Sequence, residues 1–136
     1  MDAYENVAFH AQAVGVFEGN GGYVIDGKPL IGHHGCSGHL GPLARQFALS
    51  AGLEDAAWRV NGMRELVGRY LVSLACTLAP DVVYIWCDLL PDIEELRQEL
   101  LKEMPESMIP ELVSVADYDG RVLVGEIALI LLRLAQ

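Results

Sequence analysis

Val82-Val83-Tyr84-Ile85-Trp86, then Pro91-Asp92, then Leu112-Val113-Ser114-Val115-Ala116, is the stretch that decides the fold. The first run is unbroken and apolar, yet too short for a helix. Central strands of parallel sheets are buried on both faces and have this composition. Pro91-Asp92 opens a helix. Asp92 is placed to cap its N-terminus, and Glu95 stands where a capping box wants its carboxylate. Ile93, Leu96, Leu100, Leu101 and Met104 form its buried stripe. Leu112 to Ala116 is the next strand. Parallel strands need a crossover, which the helix of residues 92–104 supplies, and the expected hand is right. Asp119-Gly120 turns the chain into a last helix from about Arg121 to Leu134, apolar on most sides and therefore expected under protein cover. The second half reads as β-α-β-α.

Upstream, the pattern changes. Val7 to Glu18 partly alternates apolar with small or polar residues, and Gly19-Asn20-Gly21-Gly22 reads as a turn, because Gly and Asn tolerate positive φ. Tyr23-Val24-Ile25 is a short strand, Asp26-Gly27 a hairpin signal, and Lys28-Pro29-Leu30-Ile31 the return. Two or three antiparallel strands are expected between residues 6 and 31. Glycines at 32, 35, 38 and 41 make residues 32–42 an irregular loop with tight turns, after which Pro42 opens a helix. Leu43, Phe47 and Leu49 mark that helix, and Gly52 stops it. A longer helix follows, with Trp58, Met63, Leu66, Val67, Tyr70, Leu71, Leu74 and Leu78 on one broad stripe. Gly62 and Gly68 each weaken it by about 1 kcal/mol relative to Ala, and Gly68 offers room for another backbone. Pro80 ends it.

The 136 residues are enough for one domain with a real core. A hydrophobic share of 52% excludes a disordered chain. The formal charge of −10 argues against direct nucleic-acid contact and against docking on an anionic membrane. The apolar run Val122 to Ala135 is shorter than the roughly 20 residues of a membrane span and carries Glu126 and Arg133. No secretory signal pattern is present. Cys36, Cys76 and Cys87 are expected as free, buried thiols of a cytoplasmic protein. The acidic excess between Asp88 and Asp119 is expected as a solvated face. Trp58 and Trp86 sit at core positions rather than on a stacking platform.

The stretch from Gly21 to Pro42 resembles the centre of the ROK family (repressors, open reading frames and sugar kinases). There a glycine-flanked "VIDGK" hairpin leads into G-x-x-G-x-x-G-E-I-G-H, and the glycines at 32, 35, 38 and 41 fall in register. Leu78-Ala79-Pro80-Asp81-Val82-Val83-Tyr84-Ile85 resembles the family's "DP-x-x-V-V-I-G-G-G" strand. Asp119 to Leu129 resembles its terminal "GA-x-G-A-A" helix. The resemblance implies an α/β fold of the ribonuclease H-like, actin-like ATPase type. The chain would be one half of it: an antiparallel β ribbon, helices, then β-α-β-α with parallel strands. It implies a single domain over residues 1–136, the C-terminal lobe of a ROK-like protein.

The departures bear on function. The family's sugar-binding Glu falls at His39, and its zinc-binding His falls at Pro42, which cannot ligate a metal. No cysteine lies between Cys36 and Cys76, so the family's zinc cluster is absent. The strand that should end in glycines near adenine ends Trp86-Cys87-Asp88. The phosphate loop reads Gln12-Ala13-Val14-Gly15-Val16-Phe17, where only Gly15 can serve. The first phosphate loop and the catalytic aspartate belong to the other lobe. Phosphoryl transfer depends on positioning and on stabilising the phosphoryl oxygens, so this chain alone is not expected to be a sugar kinase, to act as an enzyme or to hold a cofactor.

Three readings remain open. In the first, the chain is the non-catalytic, ligand-sensing or oligomerising half of a sugar-responsive transcriptional regulator. Its ligand site would be His34, Gly35, Gly38 and His39, with the imidazoles bonding the hydroxyls of a sugar or sugar phosphate. In the second it is an assembly module without ligand, with Val124, Leu131 and Leu132 of the last helix against a second copy or a missing N-terminal lobe. In the third it is a small metal-binding enzyme using His33, His34, Cys36 and His39, residue types that suit zinc, although the adjacent rings of His33 and His34 are expected to point apart. Cys36 and His39 also have the chemistry of a thiolate–imidazole pair, without an identifiable orienting acid. Gly19 to Gly22 is placed to cradle an anion, or is simply a turn.

Overall fold

Val82–Cys87 forms a strand, β4, as its apolar run requires. The computed structural model describes residues 4–12, 19–35, 37–51, 60–87 and 92–115. In it β4 lies between two parallel neighbours, β1 (Val7–Gln12) and β5 (Glu111–Ser114), with Val82 opposite Val7 on one side and Glu111 on the other. β1 also pairs antiparallel with β2 (Asn20–Ile25), and β2 with β3 (Lys28–Pro29). The sheet order is β3-β2-β1-β4-β5. The expected ribbon and the expected parallel unit therefore share one strand, β1, giving a mixed α/β sheet. Asn20-Gly21-Gly22 lies inside β2 rather than in a turn. The reason is pairing: these residues lie opposite Ala11, His10 and Phe9 of β1, and the Gly21 amide bonds the Gly38 carbonyl. The expected last helix, Trp58, Cys36 and the phosphate-loop positions 13–17 lie outside the described residues.

The strands owe their burial to side-chain alternation. Ala8, Val83 and Ile85 face the helices and are fully buried. On the other face Ala11 and Val82 are also buried, and Phe9, Tyr84 and Trp86 half-buried, as a continuous apolar strand predicts. Helix α1 (Gly41–Ala51) begins one residue before the expected start at Pro42, which lies in its first turn, and reaches the residue before the expected Gly52 stop. Helix α2 (Val60–Thr77) presents Met63, Leu66, Val67, Tyr70, Leu71 and Leu74, all buried, to the sheet and to Phe47 and Leu40. Each such side chain contributes roughly 1.5–3 kcal/mol by leaving water. Ala79 adopts φ 44° just before Pro80, so the chain leaves the helix where proline forbids its continuation.

Helix α3 (Ile93–Leu101) packs along α2 through Leu96 and Leu100. Asp92 caps it, its Oδ1 accepting from the Glu94 amide at 3.0 Å. Glu95 does not close a capping box. It reaches across to Arg64 of α2 at 3.3 Å, joining the two helices. Glu94, Glu95, Glu103 and Glu106 are exposed, a solvated acidic face as expected. Cys76 is exposed, contrary to the burial expected from its apolar neighbours, because Leu71, Leu74 and Ala75 take the inward face of α2; Cys87 is half-buried. Among the described residues no helix is long and apolar enough to cross a membrane.

Gly68 departs from expectation as well. Among the described residues, a Cβ there would meet nothing within 4 Å. Gly68→Ala is accordingly expected to stabilise the chain by about 1 kcal/mol through helix propensity alone. A rise in the urea midpoint at unchanged slope is the readout; a fall would contradict the open space above this residue.

At the opposite edge of the sheet from the strand ends discussed below, Asn6 joins three segments. The Asp81 carboxylate accepts from the Asn6 backbone amide at 3.0 Å and from its side-chain amide at 3.4 Å. The Asn6 Oδ1 accepts from the Asp26 amide at 3.1 Å, in the β2–β3 turn. The Asp81 amide returns a bond to the Asn6 carbonyl at 2.8 Å.

Candidate functional site

In open α/β sheets, ligands sit outside the carboxyl ends of the parallel strands, where the strand order changes direction. Here those ends are Gln12, Cys87 and Ser114, and antiparallel β2 begins at the same edge, Asn20 lying opposite Ala11. The glycine loop runs to this edge. Asn20 and His39 form an isolated antiparallel bridge, and the Gly21 amide donates to the Gly38 carbonyl at 3.0 Å. Gly38 has φ 86°, and a Cβ on it would stand 1.9 Å from the Gly21 carbonyl oxygen. Only glycine supports that approach.

The loop is shaped by its glycines and tied at both ends. Gly32, Gly35 and Gly38 all have positive φ. The Ser37 amide donates to the Ile31 carbonyl at 3.2 Å, closing the loop at its base. At the far end Leu40 packs with Phe47 against Leu66 and Tyr70 of α2, while the neighbouring His39 is exposed. Of the ligand residues expected from sequence, Gly38 and His39 stand at the strand edge. His34 and Gly35 lie farther out along the loop in an exposed 3-10 turn, His33–Gly35. The rings of His33 and His34 do not point apart. They meet edge to face with centroids 4.1 Å apart, because His34 takes φ 52°. Among the described residues, no three His, Cys, Asp or Glu side chains are placed to share a metal ion.

Beneath the loop lies a pair the sequence reading passed over. His10 and Gln12 are completely buried at the end of β1. His10 Nε2 lies 3.2 Å from Gln12 Oε1. An amide oxygen only accepts, so this contact places the imidazole proton on Nε2. Nδ1 is buried without a hydrogen-bond partner among the described residues. The ring packs on Tyr70 at 4.9 Å, and Tyr70 on Phe47 at 5.6 Å. Burial pushes the His10 pKa down to about 4, against a smaller opposing effect of the Gln12 bond. Gly19 closes the cluster, since a Cβ there would stand 2.6 Å from the His10 ring. The signal was present in the sequence. Ala8, His10 and Gln12 share one face of a strand, the face that packs against the helices.

The groups implied by the family resemblance fit this site poorly. Pro42, in the first turn of α1, offers no donor to zinc. β4 continues through Trp86 and Cys87, where the resemblance asks for glycines beside adenine, and Trp86 is half-buried in the strand.

No sequence model of a protein family matches the chain, and no curated protein matches it. Solved structures do. A ROK family protein from Streptococcus pneumoniae TIGR4, in complex with sucrose, superposes with a TM-score of 0.58 at 15% identity over 84% of this chain and 54% of its own. A ROK hexokinase from Thermus thermophilus gives 0.55 at 17% over 86% and 54%. A ROK family transcriptional regulator, a homologue of the E. coli MLC protein, gives 0.50 at 14% over 84% and 42%. The chain spans about half the length of these proteins, and across that span it has the fold of a ROK-type, actin-like lobe.

Proposed function

We infer that the chain is the non-catalytic, sugar-sensing C-terminal lobe of a ROK-like regulator, and that the loop edge at His39 is its ligand contact. The observation that carries this reading is the fixing of His39. Its backbone is bridged to Asn20, and its neighbours Gly38 and Leu40 are locked to Gly21 and to α2. An exposed imidazole on a rigid backbone at the carboxyl edge of parallel strands is preorganised to bond a hydroxyl. His34, on the outer 3-10 turn, supplies a second polar contact, and the Gly35 backbone, with nothing within 4 Å of its missing Cβ among the described residues, lets a ring come close. Residues 32–42 contain no carboxylate, which supports binding over base catalysis. Leu30, Ile31 and Leu43, all exposed beside the loop, support closure of this edge by a second lobe or a second copy.

Calorimetric titration with glucose, sucrose, N-acetylmannosamine and the 6-phosphates of the monosaccharides tests this. At least one should bind, and His39→Ala should weaken it about tenfold, the loss of one well-made hydrogen bond to a buried hydroxyl. Silence across the panel would remove the sensing role. Sugar-dependent ATP consumption would replace it with catalysis.

A further inference from the structure

We propose that His10 is the positioning residue of the glycine loop, a buried latch that keeps His39 at the sheet edge while the ring is neutral and releases the loop when the ring takes up a proton. The latch itself needs no ligand; its effect on sugar binding rests on the sensing role proposed above.

Three ties of the loop meet at this one ring. Across the sheet His10 lies opposite Gly21, and the Gly21 amide holds the Gly38 carbonyl. Gly19 lies over the His10–Gln12 pair, its missing Cβ 2.6 Å from the His10 Cε1 and 2.7 Å from the Gln12 Oε1. The next residue, Asn20, carries the bridge to His39. On the helix side the ring packs on Tyr70, and Leu40 packs on the cluster of Tyr70 and Leu66. Gly38, His39 and Leu40 are thus each held by a residue that touches His10, pairs with it or adjoins one that does.

The chemistry of the ring makes this hold conditional. Nε2–H is directed at the Gln12 oxygen, so a second proton enters at Nδ1, which has no acceptor among the described residues. A charge there is neither hydrated nor paired. The surrounding elements supply no counter-charge among the described residues. Beside Gln12 of β1 stand Gly19, Gly21 and the Tyr23 hydroxyl, Tyr70 of α2, and Ile85 of β4. The two tyrosines are the titratable groups of this set, and both are neutral at and below pH 7. Burial accordingly pushes the ring's pKa down to about 4 while the loop is docked. The way to water leads past Gly19, next to exposed Asn20, because Tyr70 and Leu66 are core. Parting Gly19 from the ring pulls on Asn20 and so on the bridge to His39. Docking and protonation therefore oppose one another, and linkage makes the opposition reciprocal. With an ordinary imidazole value near 6.5 in the released loop, the docking equilibrium shifts about thirtyfold between pH 7 and pH 5.

Native-state hydrogen exchange on the full chain, read by NMR, is the test. The Gly21 amide, bonded to Gly38, reports release of the loop; the Val115 amide, bonded to the Ile85 carbonyl, reports opening of the sheet. Gly21 protection should fall about thirtyfold from pH 7 to pH 5. It should also lie below that of Val115 and not respond to low urea, the marks of a local opening. His10→Gln keeps a donor for Gln12 and has no proton to take up, so its Gly21 protection should stay flat. His33, His34 and His39 remain in both proteins, so the difference belongs to His10. Any sugar that binds at pH 7 should lose more affinity toward pH 5 in the native chain than in His10→Gln. Two results would each overturn the latch: Gly21 and Val115 exchanging at one rate with one urea dependence, or the same pH dependence of Gly21 in both proteins. The first comparison needs only the native chain and holds even if His10→Gln does not fold. A Gly21 response as expected, with no sugar of the panel bound, supports the latch and removes the sensing role.

Discussion

Gly38→Ala should cost roughly 2–5 kcal/mol of folding stability, because two penalties coincide. Left-handed backbone costs an L-residue roughly 1–2 kcal/mol, and φ at this position is 86°. The new methyl would also stand 1.9 Å from the Gly21 carbonyl, deep inside contact distance, and overpacking of that kind typically costs about 1–3 kcal/mol. The easiest relief is for the loop to leave the strand edge. That breaks the Gly21-to-Gly38 hydrogen bond and the bridge between Asn20 and His39. Gly35→Ala separates the two causes. Its φ is also positive, at 69°, but its Cβ would meet open space, so its cost should be near 1 kcal/mol. Urea unfolding of both variants is the measurement. Equal losses would mean that backbone conformation alone matters and that the approach of Gly38 to Gly21 carries no weight. The same variant should lose sugar binding more completely than His39→Ala, since it displaces the whole contact.

Acid should destabilise the chain through His10, by on the order of 3 kcal/mol between neutral pH and pH 4. The sign follows from the two states. In the unfolded chain His10 takes up a proton near its ordinary value of 6.5; in the folded chain it resists until about 4. The stability tied to its neutral form is therefore whole above pH 6.5, declines as pH falls below that, and is gone below about 4. Among the described residues the groups that face the ring, Gln12 and Tyr70, are uncharged in this range. Carboxylates elsewhere titrate at the lower end of the same range, and a second variant isolates the histidine. His10→Leu keeps an apolar contact with Tyr70 and removes the proton site, so its stability should vary less between pH 6.5 and 4. Parallel stability–pH curves for the two proteins would show that His10 is not the group responsible.

Much of the fold was legible because it depends on local composition. The apolar run of β4, the cap at Asp92, the stripe of α2 and the glycine spacing of the loop each state their structure within a few residues. What was not legible depends on approach between distant segments. Gly21 reads as a turn residue until Gly38 and the Tyr23 ring come against it. Gly68 reads as a point of close backbone contact until its missing Cβ is found with no described neighbour within 4 Å. Glu95 reads as half of a capping box until Arg64 arrives from another helix. Cys76 follows the same rule, since its sequence neighbours are apolar but the helix turns it outward. At the site, His39 and Gly38 were found through the glycine pattern. His10 and Gln12 were missed because a polar residue in a strand looks solvent-facing unless the covered face is worked out from Ala8 and its alternate neighbours.

The bonds around Asn6 have an effect at the far end of the same strand. By fixing β1 against both Asp81 and the Asp26 turn, they prevent the strand from sliding along its partners. A slide of one residue would turn His10 onto the opposite face of the sheet, away from Tyr70, and bring Phe9 or Ala11 beneath that ring. The neutral, sequestered state of an imidazole is thus enforced by an amide side chain four positions away that never touches it.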